Sequence, residues 1–232
     1  MKKGFTLAEV LITLGIVGIV AVLTIPSVMK NYKNRLYTSQ LEKVYAQIVD
    51  ATKSIMSDEH VDNFYETKVV GTCGQGITDK SKCTGGPEYF LNTYFKTVKT
   101  DCAGGDDDEK CVPTSTYKYI DGTDATTIPT NYYCVQLVSG AVICANNTIA
   151  KCTSVLVDVN GQAEPNIVGR DLFSMDIHKN GSLSDYDSGC GDNSIGCAAD
   201  RCNAGGGSGN GIFSSACGCL NAVVQAGWKM KY

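Results

Sequence analysis

The sequence is poor in histidine, the side chain most often used as a catalytic base. Only two histidines, His60 and His178, occur among its 232 residues. Nucleophilic catalysis by serine or cysteine needs a base beside the nucleophile, and neither histidine stands in such a pattern. No two carboxylates form a recognisable acid–base pattern either. We therefore expect a protein that is not an enzyme and needs no organic cofactor.

Positive charge is also scarce. The chain has 20 lysines and arginines against 24 aspartates and glutamates, a formal net charge of −4. Nucleic-acid-binding domains usually carry a clustered excess of basic residues, so no nucleic-acid partner is expected. The glycine-rich stretch 203–215 is not followed by Gly-Lys-Ser/Thr. We interpret it as a flexible loop and not as a phosphate-binding loop.

Cysteine is absent from the first 72 residues, and no C-x-x-C pair occurs among the 12 cysteines that follow. A four-cysteine zinc site therefore has little support. An even number of cysteines in an exported domain indicates up to six disulfides, whose pairing stays open. Cys217 and Cys219 should pair with different partners, since bridging so short a loop strains the bond. The predicted disulfide cysteines are Cys73, Cys83, Cys102, Cys111, Cys134, Cys144, Cys152, Cys190, Cys197, Cys202, Cys217 and Cys219.

The apolar run from Phe5 to Ile25 contains one charged side chain, Glu9. As a helix the run would be roughly 31 Å long, enough to cross a bilayer. A carboxylate in such a segment costs on the order of 2.5–3.5 kcal/mol at mid-bilayer and less near the interface, so a partner is expected. Cleavage between Gly4 and Phe5 would place a new α-amine about one helical turn from Glu9, and a neighbouring chain's amine is the other candidate.

The charges that flank the run do not decide its orientation. Lys2 and Lys3 precede it, whereas Lys30, Lys33 and Arg35 follow it, so the positive-inside count is ambiguous. A cysteine-rich domain needs an oxidising compartment. The part that follows the run is therefore expected outside the cytoplasm.

Residues 2–20, KKGFTLAEVLITLGIVGIV, resemble the leader and first helix of type IV pilins and type II secretion pseudopilins. The resemblance implies cleavage after Gly4 by a prepilin peptidase and N-methylation of Phe5. It also implies that Glu9 pairs with an adjacent subunit's amino terminus, and that Pro26 is the helix-kinking proline. The family's tip-most pseudopilin lacks this glutamate, so a position in the filament body is implied.

The partners implied by the resemblance are other pilin-like subunits in a homo- or heteropolymer, the prepilin peptidase and an inner-membrane assembly platform. The chain would be a single-pass protein of the cytoplasmic membrane before it enters a pilus or pseudopilus. The alternative within the family is a membrane-anchored adhesive or ligand-binding minor pilin. An ordinary secretory signal fits less well, because no small-x-small site follows the apolar run.

The remaining periodicities predict an α+β, pilin-like fold. A long bent helix over 5–56 would cross the membrane with its first half and pack an apolar stripe on an antiparallel sheet with its second. A short helix is expected at 88–98, hairpins at 131–144 and 172–184, a strand at 153–161, and a terminal helix docking Val223, Val224 and Trp228. The predicted parts are a leader (1–4), a transmembrane helix (5–26), its amphipathic continuation (27–56) and a cysteine-rich domain (57–232). The stripe consists of Val28, Tyr32, Leu36, Leu41, Val44, Tyr45, Ile48, Thr52 and Ile55.

The stretch 158–171, DVNGQAEPNIVGRD, raises one metal hypothesis. Asp158, Asn160 and Asp171 offer oxygen ligands for Ca²⁺, together with the carbonyl of Gln162 and the side chain of Glu164. The spacing departs from that of an EF-hand loop, and a plain Asn-Gly turn is the competing interpretation.

Overall fold

The computed structural model describes residues 4, 6–71, 85–104, 109–130, 132–145, 153–187, 196–202 and 211–232. Its first element is one continuous helix, α1, from Leu7 to Asp58. Pro26 lies inside α1. Proline has no N–H to donate to the carbonyl four residues earlier, so the helix continues there with one backbone hydrogen bond fewer. The predicted long helix is confirmed, and a bend at Pro26 stays a prediction.

The internal contacts divide the chain into two units, residues Met1–Leu36 and Tyr37–Tyr232. The first unit contains the amino-terminal part of α1, whose large apolar side chains are exposed. The second unit contains the rest of α1 and every other described element. The predicted boundaries after residues 4, 26 and 56 stay predictions.

The second unit is built on a six-stranded antiparallel sheet whose strands lie side by side in chain order. This arrangement confirms the α+β, pilin-like fold class. The predicted hairpins are confirmed as β2–β3, which pairs Cys134 with Cys144, and β5–β6, which turns at Asn180-Gly181. The strands are β1 (Thr97–Thr100), β2 (Tyr133–Leu137), β3 (Val142–Ala145), β4 (Thr153–Asp158), β5 (Leu172–Ile177) and β6 (Leu183–Asp185).

Short helices precede the first strand and follow the last strand along the chain. The α-helices are α2 (Lys68–Gly71), α3 (Gly86–Tyr94), α4 (Ile212–Ser215) and α5 (Cys219–Gln225). Two 3₁₀ turns cover Phe64–Glu66 and Ala199–Cys202.

Within the second unit, α1 contributes one face to the hydrophobic core. Its Thr52 hydroxyl donates to the Gly181 carbonyl at 3.0 Å, and its Tyr45 ring meets Trp228 edge-on with centroids 5.4 Å apart. Five predicted stripe residues are buried here, whereas Val28, Tyr32 and Leu36 are exposed in the first unit. The buried residues of this face are Tyr37, Thr38, Leu41, Val44, Ile48, Ala51, Thr52 and Ile55.

Three local predictions are wrong. The predicted helix at 88–98 ends at Tyr94, because the chain then pairs with β2 as strand β1. Val224 is exposed, and Met230 is buried in the core instead. Ile212–Ser215 forms α4 where a flexible loop was predicted, because Ile212 and Phe213 are buried apolar anchors. Residues 203–210 of that loop lie outside the described residues.

The described cysteines form four disulfides, all within the second unit. The prediction that Cys217 and Cys219 have different partners is confirmed, because these two cysteines pair with Cys197 and Cys202. Cys102–Cys111 joins two cysteines nine residues apart after β1, and Cys134–Cys144 crosses the β2–β3 pair. Cys73, Cys83, Cys152 and Cys190 lie outside the described residues.

Two buried aspartates hold the carboxyl-terminal part of the fold. Asp185 accepts hydrogen bonds from the backbone N–H groups of Gly218 at 2.7 Å and Asn221 at 2.9 Å, where α5 begins. Asp176 accepts from the Ser154 hydroxyl at 2.6 Å and from the backbone N–H of Asp187 at 2.7 Å. Burial raises the pKa of Asp176 to about 6 and that of Asp185 to about 7, although these donors favour the charged form.

We expect Asp176 and Asp185 together to increase the free energy of unfolding by on the order of 2 kcal/mol when the pH falls from about 7.5 to about 5.5. Both pKa values lie above the ordinary aspartate value, so the folded chain binds more protons than the unfolded chain across this range. Urea denaturation at the two pH values measures the effect. Asp185→Asn should make this dependence less steep, and an equally steep dependence in that variant would contradict the assignment to Asp185.

Candidate assembly site at the amino terminus

The first turn of α1 contains the predicted assembly residue, Glu9, in a reciprocal arrangement with Thr6. The Glu9 carboxylate oxygen Oε2 accepts from the Thr6 backbone N–H at 2.8 Å and from the Thr6 hydroxyl at 2.8 Å. The Thr6 oxygen Oγ1 in turn accepts from the Glu9 backbone N–H at 3.3 Å. This is a capping box, in which side chains satisfy N–H groups that lack a partner at a helix start.

The side chains that follow Glu9 suit a hydrocarbon surrounding. The α1 helix includes an 18-residue stretch with a mean hydropathy of 2.5. The described residues bury none of this stretch. The hydroxyls in this part are satisfied by their own helix, since Thr13 donates to the carbonyls of Glu9 and Val10 and Thr24 donates to that of Val20. Internal satisfaction of polar groups is what a bilayer requires of a spanning helix.

The structure places Gly4 immediately before this turn, and no atom of a described residue lies within 4 Å of the position where a Cβ would lie. The cleavage site predicted between Gly4 and Phe5 is thus open on the glycine side. Phe5 itself lies outside the described residues, and its predicted methylation stays a prediction. Pro26 lies in the same helix, 17 positions after Glu9.

Comparison with protein-family models identifies the prokaryotic N-terminal methylation motif over residues 1–25. This segment is a prepilin-type signal. Such signals mark type IV pilins and pseudopilins, a family of structural subunits anchored through one helix. No curated protein and no solved structure matches the chain. The resemblance seen in the sequence is therefore confirmed for the prepilin-type signal.

Charge and spacing along the sequence assign no role to Thr6, which lies within the prepilin-type signal. The pattern Thr6-Leu7-Ala8-Glu9 is the T-x-x-E signature of a capping box, so a signal for it is present in the sequence. The charge of Glu9 in an apolar run points first to an α-amine as its partner. The structure shows that one carboxylate oxygen already has two donors within its own chain.

The predicted calcium residues meet in the loop between β4 and β5. Asp158 is buried, and its Oδ1 accepts from the backbone N–H groups of Asn160 at 3.0 Å and Gly161 at 2.7 Å. Its Oδ2 accepts from the buried Tyr117 hydroxyl. Burial, reinforced by the nearby Asp171 carboxylate, raises the pKa of Asp158 above its ordinary value.

Asp171 closes the same loop from its other end. Its two carboxylate oxygens accept from the backbone N–H groups of Asn166 at 2.7 Å and Ile167 at 2.6 Å, and burial raises its pKa to about 7. The Asn160 amide donates to the Ala163 carbonyl at 2.7 Å, while its Oδ1 is buried without a hydrogen-bond partner among the described residues. The loop therefore contains two carboxylates, Asp158 and Asp171, that accept backbone N–H groups, and one amide oxygen, Asn160 Oδ1, without a partner among the described residues.

Calcium binding by Asp158, Asn160 and Asp171 stays a prediction. Its measurement is the thermal unfolding midpoint of the wild type and of Asp158→Ala with and without Ca²⁺. A calcium-dependent rise in the wild type that Asp158→Ala loses would support the site. The absence of any response in the wild type would remove it.

Proposed function

We propose that this chain is a structural subunit of a type IV pilus or a type II secretion pseudopilus. The observation that carries the proposal is the prepilin-type signal at residues 1–25, followed by a helix whose apolar side chains are exposed. A helix of this kind needs either lipid or other helices around it. Lipid would surround the helix while the subunit is stored in the membrane, and other helices would surround it in the filament core.

Processing would create the charge that Glu9 requires. Hydrolysis of the Gly4–Phe5 bond by a prepilin peptidase would leave a carboxylate on the leader and a free α-amine on Phe5, which would then be methylated. The amine of one subunit and the Glu9 carboxylate of its neighbour would neutralise each other at low dielectric, where opposite charges attract strongly. Subunits lacking this pairing would leave a carboxylate uncompensated in an apolar surrounding.

The second unit would lie outside the cytoplasm. Its four described disulfides form and persist in oxidising compartments. We propose no catalytic role for it, because the amino-terminal motif belongs to a family of structural subunits. Other pilin-like subunits, the peptidase and an inner-membrane assembly platform are the proposed partners.

The test is amino-terminal and intact-mass spectrometry of the protein from native membranes and from sheared surface filaments. We expect a mature chain that begins at methylated Phe5. Its presence in the sheared fraction would favour a pilus, and its confinement to the membrane fraction would favour a short pseudopilus. A chain that still begins at Met1 in cells with an active prepilin peptidase would overturn the proposal.

A further inference from the structure

We propose that Thr6 is a positioning residue for assembly, which holds one oxygen of Glu9 and leaves the other for a neighbouring subunit's amine. The inference rests on the proposed function, since it concerns how Glu9 meets its partner. It assigns a different partner to each oxygen of the Glu9 carboxylate. Oε2 accepts hydrogen bonds from Thr6 of the same chain, and Oε1 is the acceptor for the neighbouring subunit's amine.

The geometry supports this division. Both donors from Thr6 converge on Oε2, each at 2.8 Å. No hydrogen bond from a described residue reaches Oε1, and the Glu9 side chain is exposed. A carboxylate has about four lone-pair sites, so the two bonds to Oε2 leave the acceptor capacity of Oε1 intact.

The other hydroxyls of this part of α1 behave differently. Thr13 and Thr24 donate to backbone carbonyls of their own helix, three or four residues earlier. Among the described residues from Thr6 to Ile25, Thr6 is the hydroxyl that donates to a carboxylate. Its position at the helix start gives it a free backbone N–H as well, which no residue inside the helix can offer.

The arrangement has two physical consequences for a stored subunit. The two hydrogen bonds partly compensate a charge that must rest at the edge of the hydrocarbon before any partner arrives. They also fix the side-chain rotamer, so the entropy of ordering the carboxylate is already lost before assembly. A neighbouring ammonium group then meets a preoriented Oε1 instead of a mobile side chain.

The test compares Thr6→Val, Thr6→Ser and Thr13→Val in cells that assemble the wild type. Valine keeps the shape and backbone N–H of threonine but removes the hydroxyl donor, and serine restores that donor. We expect about tenfold less assembled filament for Thr6→Val, as for the loss of one hydrogen bond to a charged group, and near-normal assembly for Thr6→Ser. Thr13→Val is the matched control, because its hydroxyl bonds only to its own helix, and it should assemble normally.

Two further readouts separate a positioning role of Thr6 from other roles. The fraction cleaved after Gly4, read by mass spectrometry, must be equal in Thr6→Val and the wild type. The infrared carboxylate band of Glu9, isolated by the difference from Glu9→Gln in isotope-labelled protein in detergent, should shift in Thr6→Val and return in Thr6→Ser.

The outcomes distinguish this inference from the proposed function. Normal assembly and an unshifted Glu9 band in Thr6→Val, with a wild type that is processed and assembled, would overturn the role of Thr6 alone. A wild type that is neither cleaved nor assembled would overturn the function itself. Equal losses in Thr6→Val and Thr13→Val would assign the effect to general helix packing and would also overturn the role of Thr6.

Discussion

Glu9→Leu should abolish filament assembly while the variant still inserts into the membrane. The free energy of membrane insertion is roughly 3 kcal/mol more favourable for leucine than for a charged residue at the centre of a helix. Membrane insertion and retention of the variant should therefore be at least as good as those of the wild type. The variant cannot accept a neighbour's α-amine, and the buried amine would stay unpaired at a cost of about 3–5 kcal/mol per contact. Summed over many subunits, this cost should reduce sheared filament below detection.

Glu42→Leu is the matched control for this prediction. Glu42 is an exposed glutamate on the same helix, in the second unit and outside the apolar run. Membrane fractionation and immunodetection of sheared material measure insertion and assembly separately. Wild-type amounts of filament from Glu9→Leu would refute charge pairing, whereas equal loss in both variants would show an unspecific effect of the substitution.

Gly169→Ala should lower the free energy of unfolding by about 2–5 kcal/mol. Gly169 has φ +83°, and a Cβ there would lie 2.6 Å from Cys202 Sγ and 2.8 Å from Cys219 Sγ. The Gly169 carbonyl also accepts the Tyr232 hydroxyl, so the chain cannot move away from the disulfide without losing that bond. Alanine would therefore combine a left-handed backbone with a direct clash against two sulfur atoms.

Gly122→Ala separates these two causes. Gly122 has nearly the same backbone angle, φ +88°, and no atom in the described part of the chain lies within 4 Å of the position that an alanine methyl would take there. Its substitution should cost about 1–2 kcal/mol, from the left-handed backbone alone. Urea denaturation of the detergent-solubilised chain gives both values, and non-reducing peptide mapping shows whether Cys202–Cys219 still forms. Equal costs for the two variants would contradict the clash.

Much of the sheet can be predicted from the sequence because its signals are local. The β2–β3 and β5–β6 hairpins each combine two apolar runs with a short glycine-containing turn, and the structure confirms both. Strand β1 is not predictable in this way, because Thr97–Thr100 continues an aromatic helical pattern and becomes a strand only through pairing with β2. Its backbone partners lie more than 30 residues away along the chain.

The candidate site also has residues that the sequence alone identifies and a residue whose role only the structure shows. Glu9, Gly4 and Phe5 are identifiable because spacing and charge within a few residues define them. Thr6 has an equally local capping pattern, but its role emerges only from the two hydrogen bonds that converge on one oxygen of Glu9. The burial of Asp176 and Asp185 is not foreseeable, because each is enclosed by residues from distant parts of the chain.

The sequence by itself determined the apolar helix, its lone carboxylate and the prepilin-type signal, because each is a property of contiguous residues. It also determined that Cys217 and Cys219 take different partners, since covalent geometry disfavours the short bridge. Only the tertiary structure decided which cysteines those partners are and which aspartates lose water. Both depend on how segments that are distant along the chain pack against one another, and no pattern of contiguous residues specifies that packing.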